Sequence, residues 1–253
     1  MFFNMFKSKK KFIAAYFECF DFITAELDGA ADNTKQWLVA NGMEKFVGKI
    51  NSLMHPIPDE FKFNAGDDPK ENIIMCVAQD WRNPLKGGTL LAEVFAETLL
   101  ARENWSLEII GEHGEKVIAA KILKRIPHLA PRIRILGKMP ATQTREHYQK
   151  AKIIAIGSHS EGVSLCAFEA ACTGCSVVFS SKLRQLFVFE KNSAGTMAAK
   201  HSVAALSEAV LCECSAWDIG ERDPVRISAT FGHRAWTSKC CEELLELAKS
   251  PPN

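Results

Sequence analysis

The 253-residue chain is long enough for one large domain or two small ones, and 47% hydrophobic with 24% charged residues is ordinary for a globular protein. Its 31 Lys and Arg against 30 Asp and Glu give a net charge of +1, which argues against a global field that attracts nucleic acid or an acidic partner. Any anion must therefore be bound locally.

The first 27 residues, "MFFNMFKSKKKFIAAYFECFDFITAEL", place a basic cluster before an apolar run. Glu18 and Asp21 interrupt that run, which falls short of the ~20 apolar residues that a spanning helix requires. We therefore expect a solvated first helix and a cytoplasmic protein. The alternative is loose, peripheral contact with the inner membrane face through the phenylalanines and Lys7, Lys9, Lys10 and Lys11.

The nine cysteines form no regular framework, which indicates reduced thiols. Cys172 and Cys175 form the one CxxC, at a helix end that enters a strand. A zinc site would need a second ligand pair, and a redox pair is typical of an exposed helix start. We expect both thiols to pack in the interior, and we expect no bound metal or cofactor.

The N-terminal third predicts two short strands around a helix, followed by a break. The strands are predicted over 20–26 and 47–53, and the helix over 33–41. Two prolines in "HPIPDEF" and the polar segment "NAGDDPKEN" then place the main boundary between residues 54 and 72. We therefore divide the chain into residues 1–70 and 71–253.

After the boundary, apolar runs of strand length alternate with helical patterns. The predicted strands are 72–79, 106–111, 133–137, 152–158 and 175–181, and the predicted helices are 89–103, 115–126, 142–151, 165–173 and 231–249. Strict alternation of this kind is typical of βαβ units. The fold class is α/β, with a Rossmann-like open parallel sheet and helices on both faces.

In such a sheet, ligands bind at the carboxyl ends of the strands. The loop "SHSEGVSL" lies at one of these ends and leads into a helix, so it offers free backbone amides near the positive end of a helix dipole. The amides are those of Gly162, Val163, Ser164 and Leu165. Glu161 begins the segment, and Glu169, one turn into the helix, suits the hydroxyls of a sugar or ribose. The alternative is that both acids only complement the helix N-terminus.

The loop "QDWRNPLKGG" follows the first strand of the same sheet. Lys86 could sit over a diphosphate as a point charge, and Arg82 could add a bidentate contact. The alternative is exposed charge in an ordinary loop, and the P-loop pattern is absent. The two loops together predict a pocket for a nucleotide sugar.

From about residue 72 to 245 the sequence resembles the C-terminal, donor-binding domain of the GT-B glycosyltransferases called group 1 or family 4. The matching features are Lys86-Gly87 after the first strand, "LEIIGEHGE", "RIRILGKMPATQTREHYQKAKIIAIGSHSEG", and Glu161-x7-Glu169 with "EAACTGCSVV". The fold implied is one half of a GT-B enzyme.

The resemblance implies a role for each matching residue. Lys86 would bind the donor diphosphate, the amides after Glu161 would meet phosphate, and Glu169 would hold the ribose. Glu161 would lie beside the donor sugar, so Glu161 and Lys86 are the expected catalytic residues. The donor set is completed by Gly87, Gly111, Lys138 and Met139, with backbone around 137–139 meeting the base. The implied reaction is metal-free, retaining transfer of a sugar from a nucleotide sugar to a glycan or lipid-linked acceptor.

Three departures from the family pattern stand beside this resemblance. Gln79 occupies the place of a usual arginine, with Arg82 as a shifted substitute. Leu183, Arg184 and Phe187 replace a usual glycine pair and acid. The first 70 residues match only the last strand and helix of the family's N-terminal domain.

The alternatives are therefore a non-catalytic or split-enzyme nucleotide-sugar module, with a complementing N-terminal domain as partner, and a purely structural domain. His159 would contact the donor or simply pack. In the family a terminal helix crosses back to the N-terminal domain, but for 231–249 we expect packing on the sheet.

Overall fold

A computed structural model describes residues 10–249 of the chain. The chain divides into two compact units, the smaller formed by Met1–Pro56 with Arg234–Asn253 and the larger by Ile57–His233. The boundary after Pro56 lies inside the predicted interval of 54–72. The division nevertheless differs from the predicted 1–70 and 71–253, because the C-terminal residues group with the N-terminal ones.

The described residues form eight strands and ten helices. The strands are β1 (Ile23–Ala25), β2 (Ile50–Ser52), β3 (Glu71–Asp80), β4 (Ser106–Glu112), β5 (Ile133–Gly137), β6 (Ala151–Ala155), β7 (Ser176–Ser180) and β8 (Gly195–Ala198). The helices are α1 (Lys10–Glu18), α2 (Asp28–Ala40), α3 (Gly88–Ala101), α4 (Ala120–Arg125), α5 (Ala141–Lys150), α6 (Leu165–Cys172), α7 (Phe187–Lys191), α8 (Val203–Asp218), α9 (Pro224–Ala235) and α10 (Thr237–Lys249). Short 3-10 helices cover Glu44–Lys49, Asp59–Phe61, Pro84–Lys86, Pro127–Arg132 and Arg184–Leu186, and a π-helical turn covers Glu115–Ala119.

The smaller unit pairs β1 with β2 in parallel. Leu38 of α2 and Phe46 pack in its core with Ile13 of α1. Both predicted strands are present but shorter than predicted. Helix α2 begins at Asp28, five residues before its predicted start. The sequence there reads as polar because Asp32 and Asn33 follow Ala31, although Ala31 itself is buried.

The larger unit is built on a six-stranded sheet in the order β5-β4-β3-β6-β7-β8, and every neighbouring pair is parallel. Ile74, Met75 and Cys76 of β3 are fully buried, as are Val177 and Val178 of β7. Continuous apolar runs of this kind suit strands covered on both faces. The predicted α/β class and Rossmann-like parallel sheet are confirmed.

The strand order reverses between β3 and β6. Strands β3, β4 and β5 follow one another toward one edge of the sheet, and β6 then lies on the other side of β3. The carboxyl ends of β3 and β6 therefore adjoin at a topological switch point, which is where open α/β sheets bind ligands.

The prediction fails after β7. Strand β8 was not predicted, because it has four residues and begins with a glycine. Gly195 is nonetheless required there, since a Cβ at this position would lie 2.0 Å from the carbonyl oxygen of Val177. Helices α7, α8 and α9 were also not predicted as separate elements.

The predicted single helix over 231–249 is wrong, because the chain there forms the end of α9 and the separate helix α10. Phe231 of α9 is buried against the rings of Phe168 and Phe189 in the larger unit. Cys240 of α10 is buried in the smaller unit, where its thiol donates to the Met54 carbonyl. One apolar pattern thus belongs to two hydrophobic cores, and α10 groups with the smaller unit.

All nine cysteines lie in the described part of the chain, and none forms a disulfide. Cys172 and Cys175 are fully buried, which confirms the packing interpretation of the CxxC. The Cys175 thiol donates to the carbonyls of Tyr148 and Ala151, and burial raises its pKa. Within residues 10–249, no helix combines the length and apolarity needed to cross a bilayer.

Candidate functional site

Two loops meet at the switch point, one following β3 and the other following β6. The His159 amide donates to the Leu85 carbonyl over 2.8 Å. Gly87 has a φ of +68°, and a Cβ on it would lie 1.9 Å from the carbonyl oxygen of Gly157. The loops are therefore in direct backbone contact, and only glycine at position 87 permits it.

This contact brings the two predicted catalytic residues together. Lys86 Nζ lies 2.7 Å from Glu161 Oε1, and the Glu161 side chain is only 11% exposed. Ser158 Oγ donates to the same oxygen over 2.5 Å. Gln185 Nε2 donates to the Glu161 backbone carbonyl over 3.0 Å. The glutamate is held at both its side chain and its backbone.

Helix α6 begins directly after this loop. Its N-cap residue is Ser164, which has a left-handed φ of 61° and makes no capping hydrogen bond through its side chain. The Ser164 hydroxyl lies instead 3.7 Å from the Cys166 sulfur. Burial raises the pKa of Cys166 to about 11, so this thiol is neutral near pH 7. The first amides of α6 directly follow the loop that carries the exposed Gly162 and half-buried Val163.

Glu169 lies on α6, one turn after the helix begins at Leu165, as predicted. The Tyr148 hydroxyl of α5 donates to Glu169 Oε2 over 3.4 Å. Burial raises the pKa of Tyr148 well above its usual range, so the phenol stays protonated. The two carboxylates thus accept hydrogen bonds from different donors, Glu161 from Ser158 and Glu169 from Tyr148.

A pocket of about 230 Å³ opens beside β3 and β4. Its walls include three predicted donor-binding residues, Gly111, Lys138 and Met139, together with Gln79 and Thr144. Gly111 has a φ of +125°, and a Cβ there would lie 1.9 Å from the carbonyl oxygen of Ala78. The pocket therefore depends on glycine at the end of β4.

Arg82, the predicted second phosphate ligand, is bound to a carboxylate. Its guanidinium contacts Asp80 at 2.7 and 3.1 Å, and these hydrogen bonds hold the pKa of Asp80 well below its usual range. His113 Nδ1 lies 3.2 Å from the same carboxylate. Arg82 can meet a phosphate only next to the negative charge of Asp80.

Asp80, Glu112 and His113 bring ligand atoms within 4.8 Å of one another. Sequence spacing did not predict this cluster, because the sheet register pairs Asp80 with Glu112 across 32 positions of the chain. Both carboxylates already have cationic partners, since Arg82 binds Asp80 and Lys138 Nζ lies 2.9 Å from Glu112. Their negative charge is therefore largely compensated without a metal ion.

His159 stacks on a second histidine. Its ring centroid lies 4.3 Å from that of His201, whose Nδ1 is 2.9 Å from the Ser180 hydroxyl oxygen. Burial, followed by the charges of His159 and Lys182, lowers the pKa of His201. His159 thus packs on its neighbour at the carboxyl edge of the sheet.

Sequence reasoning missed Ser158 and Gln185, the two residues that hold Glu161. Ser158 carried a usable signal, because it ends the predicted strand three residues before the glutamate. Gln185 carried none, since it reaches Glu161 from the loop after β7.

The chain matches known proteins in sequence and in fold. The family model described as glycosyl transferases group 1 matches residues 71–213. D-inositol 3-phosphate glycosyltransferase of Segniliparus rotundus is 31% identical over 116 residues, which is 45% of this chain and 25% of that protein.

Several solved structures share the fold. A TarM variant of S. aureus, solved with Fondaparinux, alpha-GlcNAc-glycerol and UDP, has a TM-score of 0.68 at 17% identity, over 96% of this chain and 47% of that one. The pneumococcal O-GlcNAc transferase GtfA, in complex with UDP and GlcNAc, has a TM-score of 0.69 at 14% identity, over 90% and 45%. Anabaena HepE, in complex with UDP, has a TM-score of 0.68 at 11% identity, over 90% and 64%. The chain spans a quarter of the curated relative and about half to two thirds of these structures.

Proposed function

Because the chain belongs to the group 1 glycosyltransferases, we propose that its larger unit binds a nucleoside diphosphate sugar for transfer of the sugar to a glycan or lipid-linked acceptor. The observation that carries this proposal is the pairing of Lys86 with Glu161 at the switch point. TarM, GtfA and HepE were each solved with UDP, which supports a nucleotide donor.

Lys86 and the first amides of α6 are the proposed diphosphate ligands. As the sugar leaves, negative charge grows on the diphosphate, and donors already aimed at that position stabilise it. Lys86 supplies a full charge, while Gly162 and Val163 let the diphosphate approach the backbone near the positive end of the helix dipole. These groups provide the stabilisation that a metal ion would otherwise give, so the proposed reaction is metal-free.

The sugar and nucleoside parts of the donor would bind on either side of the diphosphate. Glu161 would accept hydrogen bonds from the sugar, and Glu169, oriented by Tyr148, would hold the ribose hydroxyls. The pocket beside Gly111, Lys138 and Met139 would take the base. Transfer with retained anomeric configuration is part of this proposal.

A second candidate is a donor-binding module that acts with a separate acceptor domain or is not catalytic. This second candidate is supported by the length of the matches, because the chain covers only between 25% and 64% of the relatives described above. Release of nucleoside diphosphate from its sugar conjugate, with and without added acceptor glycans, separates the two candidates. Turnover by the chain alone supports the transferase, and binding without turnover supports the module.

The binding proposal is tested by calorimetric titration with UDP, GDP, ADP, CDP and their sugar conjugates. We expect Lys86→Ala to weaken diphosphate binding roughly 10- to 100-fold, the size of one lost charge-assisted hydrogen bond. Glu169→Gln should weaken every nucleotide that carries ribose. Matched controls are Lys124→Ala and Glu208→Gln, two exposed residues outside the site. If no nucleotide binds, or if the site variants behave like their controls, the proposal fails.

A further inference from the structure

One oxygen of Glu161 accepts two hydrogen bonds while the other accepts none. Oε1 is 2.7 Å from Lys86 Nζ and 2.5 Å from Ser158 Oγ. Across the described part of the chain, no donor contacts Oε2. The carboxylate is therefore anchored through one oxygen and presents the other as an open acceptor.

The two donors on Oε1 differ in what they can do when a donor substrate binds. The Lys86 side chain is flexible and 31% exposed, and under the proposed function its charge is needed at the diphosphate. Ser158 is 3% exposed and lies in the loop that follows β6, so its hydroxyl has no comparable freedom to move. Turning Lys86 toward the diphosphate removes one of the two anchors and leaves the other.

We propose that Ser158 is a positioning residue: its hydroxyl holds the Glu161 carboxylate, with Oε2 turned to the donor sugar, while Lys86 serves the diphosphate. The inference rests on the proposed function and adds the group that keeps the sugar-binding carboxylate in place. Gln185 completes the support by fixing the Glu161 backbone over 3.0 Å.

The chemistry favours this division of labour. A carboxylate makes strong hydrogen bonds to sugar hydroxyls, but only when its oxygen is already aimed at them. Without Ser158, a carboxylate released by Lys86 is free to rotate and loses that alignment. The loss of binding affinity therefore affects the sugar part of the donor and not the nucleotide part.

The test compares two affinities in each variant: that for the nucleoside diphosphate that binds tightest in the panel above, and that for its hexose conjugate. Ser158→Ala should leave the diphosphate affinity within roughly twofold and lower the conjugate affinity roughly tenfold, the effect of one charge-assisted hydrogen bond. Ser160→Ala is the matched control, because Ser160 is an exposed serine in the same loop. Its two affinities should remain those of the parent.

The ratio of the two affinities separates the possible outcomes. An unchanged ratio in Ser158→Ala, or an equal loss for both ligands, overturns the positioning role. Failure of the parent to bind any nucleoside diphosphate overturns the proposed function instead. Should Ser158→Ala fail to fold, Ser158→Thr must keep the parent ratio and Ser158→Cys must lower it, and equal ratios in these two variants contradict the inference.

Discussion

Substitution of Gly87 by alanine tests the loop contact that builds the site. In the structure a Cβ on Gly87 would lie 1.9 Å from the Gly157 oxygen and 2.6 Å from its carbonyl carbon, whereas real Cβ atoms essentially never come within 3.0 Å. Both obstacles are backbone atoms, so no side-chain rotation relieves the clash. The loop that carries Lys86 must move away from the loop that carries Glu161.

The loss of stability expected for Gly87→Ala has two parts, and substitutions of other glycines separate them. A left-handed backbone costs an alanine about 1–2 kcal/mol, and forced displacement of packed atoms costs about 1–3 kcal/mol. Gly87→Ala should therefore lose about 2–5 kcal/mol of the free energy of unfolding. Gly137 has a φ of +68° but open space around it, so Gly137→Ala should lose only the first part.

Urea unfolding of the parent and three variants measures these losses. Gly162→Ala completes the series, because Gly162 has neither a left-handed φ nor an atom within 4 Å of its Cβ position. Its loss should stay below about 0.5 kcal/mol. Equal losses in Gly87→Ala and Gly137→Ala would refute the claim that backbone contact with Gly157 holds the two loops together.

Three further predictions concern other titratable side chains. Because the pKa of His201 is lowered in the folded protein, the unfolded chain takes up this proton at a higher pH, and the free energy of unfolding should fall as the pH drops below about 6.5. His201→Asn should flatten that part of the pH profile, and an unchanged profile would contradict this prediction. The Glu213 side chain is fully buried, and its Oε1 lies 2.6 Å from Arg222 Nε, so Glu213→Gln should lower the free energy of unfolding in urea by about 3–5 kcal/mol. A loss below about 1 kcal/mol would contradict this. The Cys166 thiol, with a pKa raised to about 11, should alkylate at pH 8 far more slowly than exposed Cys212, and equal rates measured by peptide mass spectrometry would contradict that raised pKa.

The parallel sheet could be predicted because its strands are long apolar runs separated by helical patterns. Strand β3, predicted over 72–79, spans Glu71–Asp80, and β5 has its predicted bounds. The prediction fails where the sequence signal is short or shared. Strand β8 is four residues that begin with Gly195, and the apolar pattern over 231–249 belongs to two helices in different units.

The candidate site could be predicted as far as position along the chain determines it. Strand ends and helix starts place Lys86 and Glu161 at one edge of a parallel sheet, and the structure joins them. Contacts made through the sheet register could not be predicted in this way. Asp80 reaches His113 only because β3 and β4 end side by side, whereas its contact with Arg82 is local in the chain.

The proposed binding of a diphosphate by Lys86 is tested most directly by comparing a nucleoside diphosphate with its monophosphate. The measurement is the ratio of their dissociation constants for the parent and for Lys86→Ala. We expect the parent to prefer the diphosphate by roughly tenfold or more, and Lys86→Ala to lose most of this preference. Equal preference in the two proteins would contradict it.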